Sequence, residues 1–276
     1  MSSDKFVRVG ALNLHYLDHG TEGRPPLVCI HGLTSNAHHF DGLAPHLSAR
    51  YHVRAFDVRG RGDSDWGPPT EYLTQNYVND LLGALDALGI GKVTLIGTSM
   101  GGIISMSFAG GWPDRVEKLV LNDIGPEVDP AGGQRIQSYV AAAPDRFPDL
   151  GAVVAYYREN YPPMRRLSDA QVREFVASSV KPAADGRGLA WKMDPAVRGR
   201  RGPSQQRLDL WVPFARITCP ILVVRGHDSD ILSVRTAEQM RTTHKDLRVV
   251  EIPGVGHAPS LTEPESLATI RAFLSL

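Results

Sequence analysis

Val93-Thr-Leu-Ile-Gly-Thr-Ser-Met-Gly-Gly102 is the stretch on which the fold turns. Val93 to Ile96 carries no charge and has the length and character of a strand buried on both faces. It runs straight into Gly97-x-Ser99-x-Gly101 and then into a segment read as helix. So sharp a strand-to-helix turn holds Ser99 in a strained backbone conformation, and bulky side chains two residues to either side would collide. The helix that follows aims its positive N-terminal end at whatever sits on Ser99 Oγ. Taken bare, Gly-x-Ser-x-Gly is a weak signal, since glycine and serine are abundant and the bland reading is a glycine-rich turn. Between a strand and a helix it is strong.

The strand signature recurs on both sides. Leu27 to Ile30, Val53 to Phe56, Leu119 to Leu121, Ile221 to Val224 and Val249 to Ile252 are all short and mostly apolar, broken only by Arg54 and Glu251. Phe6 to Val9 and Leu12 to Leu17, broken by Gly10-Ala11, suggest an opening antiparallel pair. Helical spacing fills the gaps. Val78, Leu81, Leu82, Leu85 and Leu88 make one apolar stripe, with Thr74 as the expected cap, Leu73 and Val78 at staple positions and Gly89 as terminator. Thr262-Glu-Pro-Glu265 reads as a capping box for a last helix that buries Leu267, Ile270, Phe273 and Leu274. Strand alternating with helix means a doubly wound, mostly parallel α/β sheet.

That rhythm stops between about Gly125 and Val212. Helical patterns stand around 134–143, 152–160 and 169–179, no strand is evident, and prolines at 144, 148, 162, 163, 182, 195 and 203 punctuate the stretch. The expectation is an α/β core from residues 1–125 and 213–276, with residues 126–212 inserted as a helical cap over the carboxyl edge of the sheet.

Composition narrows the function. The chain has 276 residues, 42% hydrophobic and 22% charged, which excludes global disorder. Thirty basic residues balance thirty acidic ones, so no net field draws in nucleic acid or an anionic membrane. The N-terminus lacks a signal-like apolar stretch and no window is long and apolar enough to span a bilayer, which predicts a cytoplasmic protein without a membrane partner. Cys29 and Cys219 read as small core residues, with a disulfide left open. Neither HExxH nor paired CxxC occurs, and no GxGxxG follows a strand, so the sequence implies no metal and no dinucleotide cofactor.

His257 sits in Pro253-Gly-Val-Gly-His-Ala258, a loop directly after the strand 248–252. From the carboxyl edge of a parallel strand it can reach a serine on that same edge, take the hydroxyl proton and later protonate a leaving group. Any one of the other nine histidines is more simply a surface or capping residue. His31-Gly32, after the strand 27–30, is expected to shape a loop. There the backbone N–H of Leu33, with that of Met100, would form an oxyanion hole.

In order along the chain, His31-Gly32, Asp57-Val-Arg-Gly-Arg-Gly-Asp-Ser64, Gly97-Thr-Ser-Met-Gly-Gly102 and Gly256-His257 resemble the landmarks of the α/β-hydrolase superfamily, over nearly all of the chain outside the lobe. The resemblance makes Arg59 to Ser64 a structural turn, not a phosphate loop, and Ser99 argues against the dehalogenase and epoxide hydrolase branches, which use aspartate there. Many members place the triad acid after the seventh strand as Gly-x-x-Asp. Here Gly226-His-Asp-Ser-Asp230 puts Ser229 at that position, flanked by Asp228 and Asp230. Other branches take the acid from the end of the sixth strand in an Asp-x-x-Pro context, which Asp123-Ile-Gly-Pro126 fits. Asp123 is the favoured acid, with Asp230 and then Asp228 as alternatives.

What the resemblance implies is a cofactor-free ester hydrolase acting on a small-molecule substrate through an acyl-enzyme. The alternatives are cleavage of a C–C or amide bond at the same site, or a ligand receptor that turns over negligibly. Tyr139, Trp191 and Trp211, with Tyr156, Tyr157 and Met193, are candidate substrate-binding residues of the lobe, against the plain alternative that they pack it onto the core. Arg165-Arg166 and Arg198 to Arg201 are basic clusters that would suit an acidic substrate or simply be solvated.

Overall fold

The computed structural model describes residues 2–161, 168–198 and 209–276. Pro162, Pro163, Pro203 and the basic pairs Arg165-Arg166 and Arg200-Arg201 lie outside these ranges. The strands are β1 (Ser3–Val9), β2 (Leu12–Asp18), β3 (Pro26–Ile30), β4 (His52–Phe56), β5 (Val93–Thr98), β6 (Val116–Asn122), β7 (Arg146–Phe147), β8 (Val180–Pro182), β9 (Leu189–Trp191), β10 (Ile221–Gly226) and β11 (Leu247–Ile252). The helices are α1 (Ala44–Leu47), α2 (Thr74–Ala87), α3 (Met100–Gly111), α4 (Pro130–Ala142), α5 (Leu150–Asn160), α6 (Asp169–Ala177), α7 (Pro195–Arg198), α8 (Trp211–Phe214), α9 (Val234–Thr243) and α10 (Pro264–Leu274).

Among the described residues, one eight-stranded sheet runs β1-β2-β4-β3-β5-β6-β10-β11. Strand β2 pairs antiparallel with β1 and β4, and the other pairings are parallel. Leu27 to Ile30 and Ile221 to Val224 are apolar throughout because alternate side chains serve two different cores. Val28 and Ile30 of β3 join the core under α2 and α3, whereas Leu27 and Cys29 join the one under α1 and α10. Strand β10 divides the same way, Ile221 and Val223 to one face, Leu222 and Val224 to the other. Both cysteines are free thiols, buried in these cores.

Three local expectations need correction. Residues 126–212 do contain strands: β7, β9 and β8 form a second, three-stranded antiparallel sheet. At two or three residues each they are too short for any period to register. Thr74 does not cap α2. Leu73 stands at the cap without a side-chain bond and stays 43% exposed. Nor does Thr262 cap α10. Glu263 is the cap residue, and its carboxylate turns back to accept from Ser260 and Ser266 while Pro264 opens the helix.

Chain order fixes where a site can form. From β3 the chain steps to β4 on one side, then returns to β5 on the other side of β3. The crossovers therefore diverge between the carboxyl ends of β3 and β5, and a crevice opens at that switch point. The 31–33 loop leaves β3 there, and Ser99 leaves β5.

Candidate active site

Ser99 has φ +53° and ψ −115°, an orientation that a non-glycine residue adopts only when its surroundings enforce it. The enforcement is visible on both sides. A Cβ added to Gly97 would lie 2.4 Å from the Gly101 carbonyl oxygen, and one added to Gly101 would lie 2.0 Å from that of Ile30. Both glycines are therefore demanded by close backbone approach. Ser99 N–H donates to the Asn122 carbonyl at 3.0 Å, which ties the turn to the end of β6.

Asp123 follows β6 immediately, with φ +54° and no exposed surface. Its N–H donates to the Val224 carbonyl at 2.8 Å, so both flanks of its backbone are held by neighbouring strands. One carboxylate oxygen accepts from Gly226 N–H at 2.9 Å. The other accepts from Ser229 Oγ at 2.7 Å and faces His257 Nδ1 at 2.8 Å. On the far side of the ring, His257 Nε2 lies 2.8 Å from Ser99 Oγ. With the ring proton on Nδ1, facing the carboxylate, Nε2 is left to receive the serine hydroxyl proton.

Ser99, His257 and Asp123 thus form one hydrogen-bonded line. The alternative acids stand elsewhere. Asp230 is gripped by Arg135 of α4 at 2.5 and 2.8 Å, which holds its carboxyl below the usual range. Asp228 pairs with the exposed ring of its neighbour His227. The loop that bears Asp228, Ser229 and Asp230 extends beyond the last strand pairing, at Gly226. Its Ser229 reaches Asp123, whereas Asp230 turns outward to the helix.

Four contributors were not visible in the sequence. Ser229 collects the N–H groups of Ile231 and Leu232 on its oxygen, both at 3.1 Å, and aims its own proton at Asp123. Fully buried Asn122 donates from Nδ2 to Thr98 Oγ1 at 3.1 Å and to the Pro259 carbonyl at 2.8 Å, bracing the His257 loop. Thr34, next to Leu33, meets Tyr161 OH at 2.5 Å. Burial pushes the Tyr161 and Tyr139 hydroxyls up, so both stay neutral donors. Only the position of Ser229 in Gly-x-x-Ser carried any signal.

The 31–33 loop lies against the serine: a Cβ at Gly32 would sit 3.6 Å from Ser99 Cβ. His31 is buried, with Nδ1 donating to the Gly32 carbonyl at 2.7 Å and Nε2 accepting from Val58 N–H at 3.2 Å. Burial pushes its pKa down to about 4, so it braces the loop as a neutral ring. Met100 opens α3, where helical geometry leaves the first N–H groups without an intrahelical acceptor.

The lobe aromatics divide. Trp191 is buried, donates Nε1–H to the Pro144 carbonyl at 2.8 Å and packs edge-on against Phe147 and Tyr156. Tyr157 and Met193 are buried in the same cluster, with Tyr156 partly buried at its margin. Trp211 packs on Phe214 in α8, which abuts the Gly110 end of α3. That end is roughly 15 Å along the helix from Ser99. Trp191 and Trp211 have the surroundings of packing residues, while Tyr139 rests on Tyr161 beside Thr34. Arg198 donates to the carbonyls of Ala143 and Pro144 and pairs with Asp145.

A doubly wound sheet with a strained serine at its switch point and an inserted lobe defines an α/β hydrolase. The chain belongs to the alpha/beta hydrolase fold family, whose sequence profile matches residues 25–264. Among its relatives is 3-hydroxybutyrate-oligomer hydrolase of Cupriavidus necator, 36% identical over 96% of this chain and 94% of that protein. The 2-(acetamidomethylene)succinate hydrolase of Mesorhizobium japonicum is 32% identical over 99% of this chain and 97% of its own. Among solved structures, an alpha/beta hydrolase from Novosphingobium aromaticivorans superposes with a TM-score of 0.86 at 34% identity, covering 99% of this chain and 98% of that one. No helix among the described residues is long and apolar enough to cross a membrane.

Proposed function

We propose that the protein is a serine hydrolase that cleaves a small carboxylic ester through a covalent acyl-enzyme. The observation that carries this reading is the line from Ser99 Oγ through the His257 ring to Asp123, 2.8 Å at each step. His257 Nε2 takes the hydroxyl proton as Ser99 Oγ bonds to the ester carbonyl carbon. Asp123 holds the ring in the required tautomer and stabilises the imidazolium. Negative charge then develops on the carbonyl oxygen, where the Leu33 and Met100 N–H groups would receive it. Collapse expels the alkoxide with the proton from Nε2, and water repeats the sequence on the acyl-enzyme.

In this reading residues 126–212 form the cap and determine which acyl groups enter, with Tyr139 the lobe residue best placed to touch them. The Cupriavidus relative, named for 3-hydroxybutyrate oligomers, favours a short hydroxyacyl ester. The Mesorhizobium relative, named for an acetamido compound, supports a second reading in which the same residues open an amide.

The test is a panel of short acyl esters, 3-hydroxybutyrate dimer and trimer, and matched amides, run on wild type and Ser99→Ala. Wild type should hydrolyse at least one ester, take up a single fluorophosphonate label at Ser99, and lose several orders of magnitude in turnover with Ser99→Ala. Equal labelling of the variant would sink the serine-hydrolase reading. Amides turned over ahead of every ester would shift it to the second. Labelling without turnover of any substrate would favour the receptor reading.

A further inference from the structure

Arg61 is 1% exposed and belongs to the largest fully buried side chains of the protein. Left-handed glycines on either side, Gly60 at φ +77° and Gly62 at φ +57°, let the turn drive it inward. Two residues earlier, Arg59 has two carboxylates, Asp80 at 2.5 and 2.6 Å and Glu71 at 2.7 Å. Among the described residues Arg61 has none. Its acceptors are neutral: the Leu33 carbonyl at 3.2 Å, the Arg59 carbonyl at 3.0 Å, Tyr77 OH at 2.5 Å and Met100 Sδ at 3.6 Å. The rings of Tyr72 and Tyr77 complete the surroundings, 5.6 and 5.2 Å from the guanidinium carbon. The segments outside the described residues contain no acid that might pair with it.

Burying a guanidinium without a counter-charge is expensive, and a methionine or leucine would fill the space without that penalty. Two of its four acceptors belong to the residues whose N–H groups are proposed to face the substrate oxygen, Leu33 and Met100. In the proposed reaction, the charge that arises beside those residues is the tetrahedral oxyanion. A cation left uncompensated in the resting enzyme and compensated in the transition state is differential binding by charge.

We propose that Arg61 is the positioning residue of the oxyanion site: its buried guanidinium fixes Leu33 and Met100 and supplies the positive field that the oxyanion meets. This rests on the assignment of Ser99, Leu33 and Met100 made above. Arg61 touches no reacting atom and acts through those two residues.

Arg61→Met and Arg61→Lys are compared with wild type for folding by circular dichroism, for kcat and KM on a short acyl ester, and for the rate of Ser99 phosphonylation by a fluorophosphonate. That reaction also builds negative charge in the same hole. Arg61→Met should slow both chemical steps about tenfold or more, with KM within about threefold. Arg61→Lys, which keeps the charge and loses the fork, should recover most of the rate. A folded Arg61→Met that is phosphonylated at the wild-type rate overturns the proposal, as does a variant altered only in KM. A Lys variant as slow as the Met variant overturns the role of charge. Should Arg61→Met not fold, Arg61→Lys decides alone: a rate within about threefold of wild type sustains the proposal, and a tenfold loss ends it. Wild type unlabelled at Ser99 would remove the underlying assignment, whereas labelled wild type with an indifferent Arg61→Met removes this inference alone.

Discussion

At the scale of single residues, Asp123 is held by what surrounds its backbone as much as by what its carboxylate meets. Its amide is fixed to Val224, and its oxygens receive Gly226 N–H and Ser229 Oγ in addition to the ring. A carboxylate so constrained cannot swing away from His257, and small displacements of such a group carry large rate penalties. Asp123→Asn should therefore lower kcat by about 10⁴ on one ester substrate. Asp230→Asn should stay near the wild-type rate, with folding of both checked by circular dichroism. Loss of activity in Asp230→Asn alone would place the acid after β10. The sequence made Ser99 and His257 legible because each comes after a short strand, with glycines beside it. It left the acid open because three aspartates lie past strand ends, and it takes partners distant in the chain, Gly226, Ser229 and His257, to show which one faces inward.

At the scale of elements, the large sheet was legible and the small one was not, for one physical reason. Strands serving two cores must be apolar on both faces, and five or six such residues make a visible run. Strand β7 meets β9 through cross-strand rings, Phe147 against Trp191, and β8 pairs with β9 over three residues, contacts that no local pattern announces. The missed caps share that origin, since the entering chain, not the nearest threonine, decided where α2 and α10 begin. Tight packing of α3 on β3 yields a prediction. The Cβ of Gly101→Ala would press on backbone at 2.0 Å, which cannot yield as a flexible side chain would. The variant should lose about 1–3 kcal/mol or more in urea unfolding, and its fluorophosphonate labelling should fall with it. Helix α4 is fastened to the core by Arg135 and Asp230. The depressed folded-state pKa of Asp230 means that this contact stabilises above the unfolded carboxylate value, about 3.9, and is lost as pH falls through the folded value. Both partners are about a third exposed, so Asp230→Asn should differ from wild type by less than about 1 kcal/mol at pH 7. Thermal midpoints from pH 7 to pH 2 should show that gap closing on acidification, and a gap that widens would contradict the sign.

At the scale of the whole molecule, the proposed chemistry and the proposed selectivity come from separate stretches of chain. The loops after β3, β5, β6 and β11 bring Leu33, Ser99, Asp123 and His257 to one edge, while residues 126–212 carry a small sheet of their own, whose aromatic side chains join the core under α2 and α3. A cap over that edge should exclude bulky acyl chains. Short acyl esters should be hydrolysed faster than triolein when the two are compared at equal enzyme concentration, and the reverse order would refute a restrictive cap.

Asn122 adds a mechanical consequence. Its carbonyl anchors the amide of Ser99, and its side chain anchors the carbonyl of Pro259, two residues beyond His257. Ser99 and His257, 158 residues apart in the chain, are thus located from one shared datum. When the sheet flexes and β6 shifts, both travel with it, so the error common to the two cancels in their separation. A 2.8 Å gap can survive motions of the scaffold that are individually larger than its tolerance.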